Sequence, residues 1–202
     1  MRRLRRRHSG IELLALLLPL IAVAADNSHD QHAMHRQAMQ SNSVKVEEAS
    51  YAIPDVMMTD EQGQSVRLLD VLADDQPVAI NFIFTSCTTI CPVMTATMLQ
   101  LQGQLEGDPV TPLYVSISID PDFDTAPVMK SYAAKYGADW TFLTGSQDDV
   151  MRVLKSFDAY RGSKINHFAL TLMRAGDDAE WPRVEGLTSA EALASIWRQI
   201  SS

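Results

Sequence analysis

The two cysteines of the 202-residue chain, Cys87 and Cys91, lie four residues apart in the segment FTSCTTICP (84–92). A thiolate is the form of cysteine that attacks disulfides and binds metal ions. If the segment coils, the two Cα atoms lie about 5–6 Å apart, close enough to form a disulfide or to share one ion. The spacing therefore leaves three uses open: a structural disulfide, a redox pair, and two metal ligands. A disulfide that closes so small a loop would stabilise the fold only modestly.

The cysteines follow a near-continuous apolar run, 77–85, which predicts a strand buried on both faces. Pro92 predicts the start of a helix that continues to Leu105, with Cys91 as its N-cap. Sites in open α/β sheets lie at the carboxyl ends of the strands, and a helix N-terminus favours a thiolate. The position of the pair therefore favours a chemical function over a structural one.

His167 is the one histidine outside the first 35 residues, and it is predicted to begin a late strand, 167–174. That strand is expected beside the strand before the cysteines, so the loop that enters it can approach the pair. Two thiolates and one imidazole are fewer ligands than a structural zinc site takes, but they suit copper. We therefore predict Cys87, Cys91 and His167 as copper ligands, although a lone histidine is also a common loop residue. Without a metal, Cys87 and Cys91 would be the catalytic pair of a thiol–disulfide oxidoreductase.

The remaining pattern after residue 50 alternates strands and helices. A hairpin at 56–69 comes first, and the order is then β-α-β-α-β-α-β-β-α. Such an order predicts an α/β domain with a mostly parallel central sheet covered on both faces and an antiparallel pair at its end. Met94 and Met98, at helical spacing, are predicted to pack in the core. Asp120 and Asp124 are predicted either to make turns and caps or to orient a ligand or partner.

The chain is predicted to have three parts. Residues 1–25 combine five arginines, a short apolar run and a small-residue site, which together are typical of a secretory signal peptide. Residues 26–50 are polar and predict a flexible tail, and residues 51–202 form the domain. The tail contains histidines and methionines that could bind copper weakly: His29, His32, His35, Met34 and Met39. An uncleaved first segment would instead associate the protein with a membrane.

The charge of the chain argues against one class of partner. The net charge is -8 overall, and residues 1–25 hold five of the 17 basic residues and one of the 25 acidic ones. Without them the charge is about -12. Nucleic acid is therefore not expected as a partner, because its phosphates need cationic side chains. An acidic surface is compatible with cations or with a basic partner face.

Three motifs together resemble the Sco/SenC family of copper-binding assembly factors for cytochrome c oxidase. They are CTTICP (87–92), DPDFDT (120–125) and His167 before a late strand. The resemblance covers about 51–200 and implies a thioredoxin-like fold, a central mixed β-sheet flanked by helices with an N-terminal β-hairpin. It also implies copper bound by Cys87, Cys91 and His167.

The family resemblance further implies a metallochaperone that delivers copper to, or reduces cysteines in, the copper centre of cytochrome c oxidase subunit II. The predicted signal peptide implies that the protein is periplasmic or otherwise exported. Another copper or thiol protein is an alternative partner. Two other functions stay open from the residues alone. One is a thiol–disulfide reductase that uses Cys87 and Cys91 without metal, and the other is a redox or copper sensor.

Overall fold

The computed structural model describes residues 44–73, 75–176 and 180–202. The predicted signal peptide and most of the predicted tail, including its histidines, lie outside these residues. Within the described ranges, every helix is too short or too polar to cross a bilayer.

The described residues form one eight-stranded sheet with helices on its faces. The strands are β1 (Lys45–Ala49), β2 (Met57–Asp60), β3 (Ser65–Arg67), β4 (Val78–Ile83), β5 (Leu113–Ser118), β6 (Thr141–Gly145), β7 (Leu170–Arg174) and β8 (Trp181–Glu185). The helices are α1 (Leu68–Val71), α2 (Ile90–Gln104), α3 (Ala126–Tyr136), α4 (Gln147–Ser156) and α5 (Ala190–Ile200). A 3₁₀ turn, Lys164–Asn166, precedes β7.

The sheet is mixed, in the order β1-β8-β7-β4-β5-β6-β2-β3. β4, β5 and β6 run parallel, while β7 pairs antiparallel with both β4 and β8. β2 and β3 form the predicted antiparallel hairpin. The α/β class, the mixed sheet and the hairpin are therefore confirmed. The expectation of a mostly parallel sheet is wrong, because two of the pairings between described strands are parallel and five are antiparallel.

Strand β4 shows why the sequence folds in this way. All six of its residues are buried. Val78, Ile80 and Phe82 contact one apolar cluster, and Ala79 and Ile83 contact the cluster on the opposite face. Because side chains alternate along a strand, a strand covered on both faces is apolar at nearly every position, and Asn81 is the one polar residue of β4. Such a strand gives the site a rigid base.

Strand β1 is a departure from the predicted boundary at residue 51. It pairs antiparallel with β8, placing Lys45 opposite Glu185 and Glu47 opposite Arg183. Its sequence, KVEEA, is charged and mostly exposed, as is common in a strand at the edge of a sheet. Composition alone therefore placed residues 45–49 in the tail, although long-range pairing makes them part of the domain.

Candidate metal centre

Cys87 lies on the turn between β4 and α2, and Cys91 lies in the first turn of α2; we call residues 84–91 together the dithiol turn. The Cys87 N–H donates to the Phe84 carbonyl oxygen at 3.1 Å and closes the turn. The Cys91 N–H donates to the Cys87 sulfur at 3.5 Å, and the Thr89 hydroxyl lies 3.6 Å from the same sulfur. The two sulfurs are not bonded to each other. The turn thus brings both thiols together, as predicted.

Helix α2 begins two residues earlier than predicted, at Ile90 rather than at Pro92. Its N-cap is Thr89, whose side chain makes no capping hydrogen bond, and Cys91 lies within the first turn. The first N–H groups of a helix have no partner inside the helix, and Pro92 fits there because it has no N–H to satisfy. The Cys87 sulfur accepts one of these free N–H groups, that of Cys91. The predicted stabilisation of a thiolate by the helix therefore acts on Cys87.

The two thiols differ in protonation. Burial of Cys87 disfavours its thiolate, but hydrogen bonds from Cys91 and Thr89 outweigh burial and lower the pKa of Cys87 to about 7. Cys91 is completely buried, and this burial raises the pKa of its thiol well above the ordinary range. Cys87 is therefore the thiolate near neutral pH, and Cys91 stays protonated until a metal ion or a base removes its proton.

His167 lies on a loop that differs from its predicted strand. Ser163 caps the 3₁₀ turn through the Ile165 N–H, and the His167 N–H donates to the Lys164 carbonyl oxygen. These local bonds keep His167 out of the sheet, and β7 begins only at Leu170. We call residues 161–167 the histidine loop.

The His167 imidazole is directed at the end of β4. Its Nε2 lies 2.9 Å from the Phe82 carbonyl oxygen, and its ring centroid lies 5.8 Å from that of Phe84. Burial lowers the pKa of His167 to about 4, even though the bond to Phe82 favours protonation. The ring is therefore neutral at pH 7. Because a carbonyl oxygen only accepts, Nε2 carries the proton and Nδ1 keeps a free lone pair.

Nδ1 of His167 is buried and has no hydrogen-bond partner among the described residues. The described part of the chain also contains no group of three or more histidine, cysteine and acidic side chains close enough to hold a metal ion. The imidazole is thus at the same end of β4 as the thiols but turned towards the backbone. The set Cys87, Cys91 and His167 stays a prediction that needs a rotation of this ring.

The two aspartates whose role the sequence left open behave differently. Asp124 is completely buried, and its carboxylate accepts hydrogen bonds from the Thr85 N–H at 3.1 Å and the Ser118 hydroxyl at 2.6 Å. Burial raises the pKa of Asp124, while the hydroxyls of Ser118 and Thr85 oppose that shift. Asp120 is partly exposed and pairs with Lys164 at 2.5 Å.

Other predicted residues fall outside the site. Met94 and Met98 are buried, which confirms core packing. A cleft of about 270 Å³ borders His167 and is also lined by Asp120, Met151 and Lys164. A larger cleft of about 730 Å³ lies beside Trp140 and contains none of the predicted ligands. We consider the 270 Å³ cleft the relevant one because His167 lines it. The sequence analysis did not identify Thr85, Ser118 and Lys164 as part of the site, because the sequence carries no signal for their long-range contacts.

Comparison with known proteins gives the family. The SCO1/SenC family model matches residues 45–199. The chain belongs to the SCO1/SenC family. The match begins at the first residue of β1, in agreement with the fold. It confirms the resemblance that the three sequence motifs indicated.

Individual relatives cover parts of this SCO1/SenC chain. The SCO1 protein homolog of Bacillus subtilis is 44% identical over 84 residues, which are 39% of this chain and 44% of the relative. The mitochondrial SCO2 homolog of Bos taurus is 30% identical over 129 residues, 62% of this chain and 47% of the relative. The chain therefore spans less than half the length of either protein.

Solved structures agree with the fold. The structure of BsSco, described as a member of the Sco family of cytochrome c oxidase assembly proteins with a disulfide switch, is 28% identical. It aligns with a TM-score of 0.63 over 77% of this chain and 96% of BsSco. Copper-bound ScoI of Arabidopsis thaliana is 20% identical, with a TM-score of 0.64 over 75% of this chain and 98% of that protein.

Proposed function

We propose that this chain is an exported metallochaperone that binds one copper ion through Cys87, Cys91 and His167. The observation that carries the proposal is the dithiol turn, where one thiol is ionised near neutral pH and a second lies beside it. Thiolates and imidazole are the soft and intermediate donors that suit copper. Membership of the SCO1/SenC family and the copper-bound ScoI relative support the same metal.

Loading of the ion requires two changes in the site. Cys91 loses its proton, because a thiolate and not a thiol binds the metal, so copper binding releases a proton. The His167 ring turns from the Phe82 carbonyl oxygen and offers a nitrogen to the ion. A disulfide between the cysteines would remove both sulfur ligands, so the loading needs reduced protein.

The recipient proposed for the copper is the copper centre of cytochrome c oxidase subunit II. The family relation to BsSco, described as one of the oxidase assembly proteins, supports this choice. The acidic charge of the chain favours a recipient with a basic face. Export through residues 1–25 would place the chain in the compartment where such a centre is assembled.

An anaerobic titration of the reduced chain with Cu(I), against a competing chelator, tests copper binding. Replacing His29, His32 and His35 by alanine removes tail donors, and we expect this variant to bind one copper per chain. In that background Cys87→Ser should weaken binding by at least about a hundredfold, since losing a direct ligand should cost more than losing an outer-shell partner, which costs about ten- to a hundredfold. Ser86→Ala is the matched control, because it changes an exposed neighbour that donates no sulfur or nitrogen.

Two outcomes would contradict copper binding at this site. One is that the tail variant takes up no copper, and the other is that Cys87→Ser binds as tightly as its parent. Transfer is tested separately by mixing the loaded chain with the apo copper domain of oxidase subunit II and measuring copper on each protein after separation. Retention of all copper by the chain would contradict delivery.

A second candidate function, a thiol–disulfide reductase, is favoured by the difference between the two thiols. Cys87 is accessible and ionised near pH 7, as an attacking thiol should be, and Cys91 is buried beside it. The Cys87 thiolate would attack a protein disulfide and release one substrate thiolate. Cys91, after losing its proton, would then attack the mixed disulfide, so that the substrate gains two electrons and the cysteines become a disulfide.

Reduction of a protein disulfide by the metal-free chain, followed with an added thiol reductant that regenerates it, tests this candidate. We expect turnover to stop in Cys87→Ser and to persist in His167→Ala, since the imidazole takes no part. The absence of turnover with several protein disulfides would count against the reductase and leave copper binding unaffected.

A further inference from the structure

The dithiol turn and the histidine loop are both attached to a third loop that carries none of the predicted ligands. This is the β5–α3 loop (residues 119–125), which follows β5, the parallel neighbour of β4. Two of its side chains make the attachments, Asp124 to the dithiol turn and Asp120 to the histidine loop.

Asp124 fixes the first residues of the dithiol turn. Its carboxylate accepts the Thr85 N–H at 3.1 Å, and it also accepts the Thr85 hydroxyl. Thr85 lies two residues before Cys87, inside the turn that the Phe84 carbonyl oxygen closes. The carboxylate is fully buried, and the structure gives it no ion pair with a described cation. Its attachment therefore depends on the hydrogen bonds it accepts from Thr85 and Ser118.

Burying a carboxylate without a cation costs free energy, so the carboxylate of Asp124 needs hydrogen bonds that offset this cost. Removing one partner of a buried hydrogen bond leaves the other unsatisfied, which makes such contacts strong constraints on geometry. The Ser118 hydroxyl donates to Asp124 at 2.6 Å and accepts the Asp120 N–H at 3.0 Å. One hydroxyl thus joins both aspartates to the end of β5.

Asp120 reaches the other ligand-bearing segment. Its carboxylate pairs with the Lys164 ammonium at 2.5 Å, and Lys164 lies three residues before His167. The Asp120 carbonyl oxygen accepts the N–H groups of Phe123 and Asp124, so the loop that carries the carboxylate is itself compact. The ion pair is made by Lys164, so it restrains the backbone of the histidine loop without contacting the imidazole.

We propose that Asp124 and Asp120 are positioning residues, and that the β5–α3 loop sets the placement of the two thiols relative to the imidazole. Asp124 acts on the dithiol turn, whether or not copper is the cargo. Asp120 acts on the histidine loop, and this half rests on the proposed copper function. The buried contact should have the larger effect and the exposed ion pair the smaller one.

The dithiol half is tested without metal. In glutathione buffers the two cysteines lose two electrons and two protons to glutathione disulfide, giving a protein disulfide and two glutathione molecules. The equilibrium constant reports how well the turn holds the two sulfurs together. We expect Asp124→Ala to lower the constant about tenfold, the size of one hydrogen bond to a charged group. Asp124→Asn keeps an oxygen for the Thr85 N–H and should stay within about threefold.

Controls separate positioning from a loss of the fold. Asp122→Asn removes an exposed carboxylate from the same loop and should leave the constant unchanged. Thermal unfolding shows whether each variant is folded. If Asp124→Ala does not fold, Thr85→Val is tested in its place. This variant removes the hydroxyl bond to Asp124 and keeps the backbone bond, and it should lower the equilibrium constant about threefold. The proposed role of Asp124 is overturned if the folded Asp124→Ala variant has an unchanged equilibrium constant. Where Thr85→Val replaces it, an unchanged constant in that variant overturns the role.

The histidine half is tested by the rate at which a chelator removes Cu(I) from the loaded chain. Asp120→Asn should raise this rate about threefold, in the range expected for an exposed ion pair. In a His167→Ala background the same substitution should have no effect, because the loop then carries no ligand. Equal effects in both backgrounds overturn this half. A failure of the parent chain to bind copper refutes the proposed function and not the thiol result.

Discussion

The dithiol turn and the histidine loop meet at the end of β4, yet they are built differently. The dithiol turn continues a fully buried strand, and its bonds to Phe84, Asp124 and the helix N-terminus are partly or wholly shielded from water. The histidine loop is mostly exposed, and besides the His167–Phe82 bond it is held by local turn bonds and by ion pairs of Arg161 and Lys164. Under the copper function proposed above, the two thiols would be placed before the ion binds, and the imidazole would have to move.

The largest expected difference lies in thiol reactivity. At pH 7 Cys87 should react with iodoacetamide on the order of a hundredfold faster than Cys91, because only Cys87 is both accessible and ionised. Its rate should rise with pH around a midpoint of about 7. The rates are measured in Cys91→Ser and Cys87→Ser by mass spectrometry. Equal rates would remove the asymmetry on which the contrast depends.

The next effect is a loss of stability in acid caused by His167. Its pKa is about 4 in the folded protein against 6.5 for a free histidine. The imidazole therefore becomes protonated below about pH 6.5 in the unfolded chain, but only below about pH 4 in the folded chain. Stability contributed by the neutral ring is complete above pH 6.5 and falls as the pH decreases, by about 2 kcal/mol at pH 4.5.

Urea unfolding of the parent chain and of His167→Gln, each from pH 7 to 4.5, measures this contribution. The variant should lose less stability over that range, since it has no imidazole to titrate. Parallel curves for the two proteins would mean that the ring is already exposed in the native state. In that case the histidine loop would be open without metal.

The smallest expected effect concerns mobility of the backbone. Ile165 is 89% exposed and follows Lys164, so trypsin should cleave the bond between them before it cleaves after Lys130 in helix α3. We expect a rate ratio of about ten, because an exposed loop opens at lower free energy than a helix. Limited proteolysis followed by mass spectrometry gives both rates. Faster cleavage after Lys130 would show that the histidine loop is as firmly held as the helix.

Sequence reasoning recovered the parts of the molecule that local pattern controls. The apolar run predicted strand β4, and Pro92 predicted a helix after the cysteines, where it lies in the first turn of α2. The cysteine pair was found by residue type and spacing. The alternation of strands and helices predicted the α/β class, while the mixed sheet followed from the family resemblance.

The parts that were missed depend on contacts between distant residues. The partner of Asp120 lies 44 residues away, and Asp124 meets Thr85 across 39 residues. No local pattern specifies either pairing. The orientation of the His167 ring depends on the backbone oxygen of Phe82, a group that every residue possesses. Its direction is therefore invisible in the sequence.

The position of β1 has a practical consequence for anyone who shortens the chain. A protein that begins at Tyr51 would lack the strand that covers β8, leaving the backbone N–H and carbonyl groups on that side of β8 without their partners. An open edge of this kind pairs readily with another copy, so such a truncation should aggregate or dimerise through β8. Starting at or before Val44 keeps the edge protected by a short, charged strand.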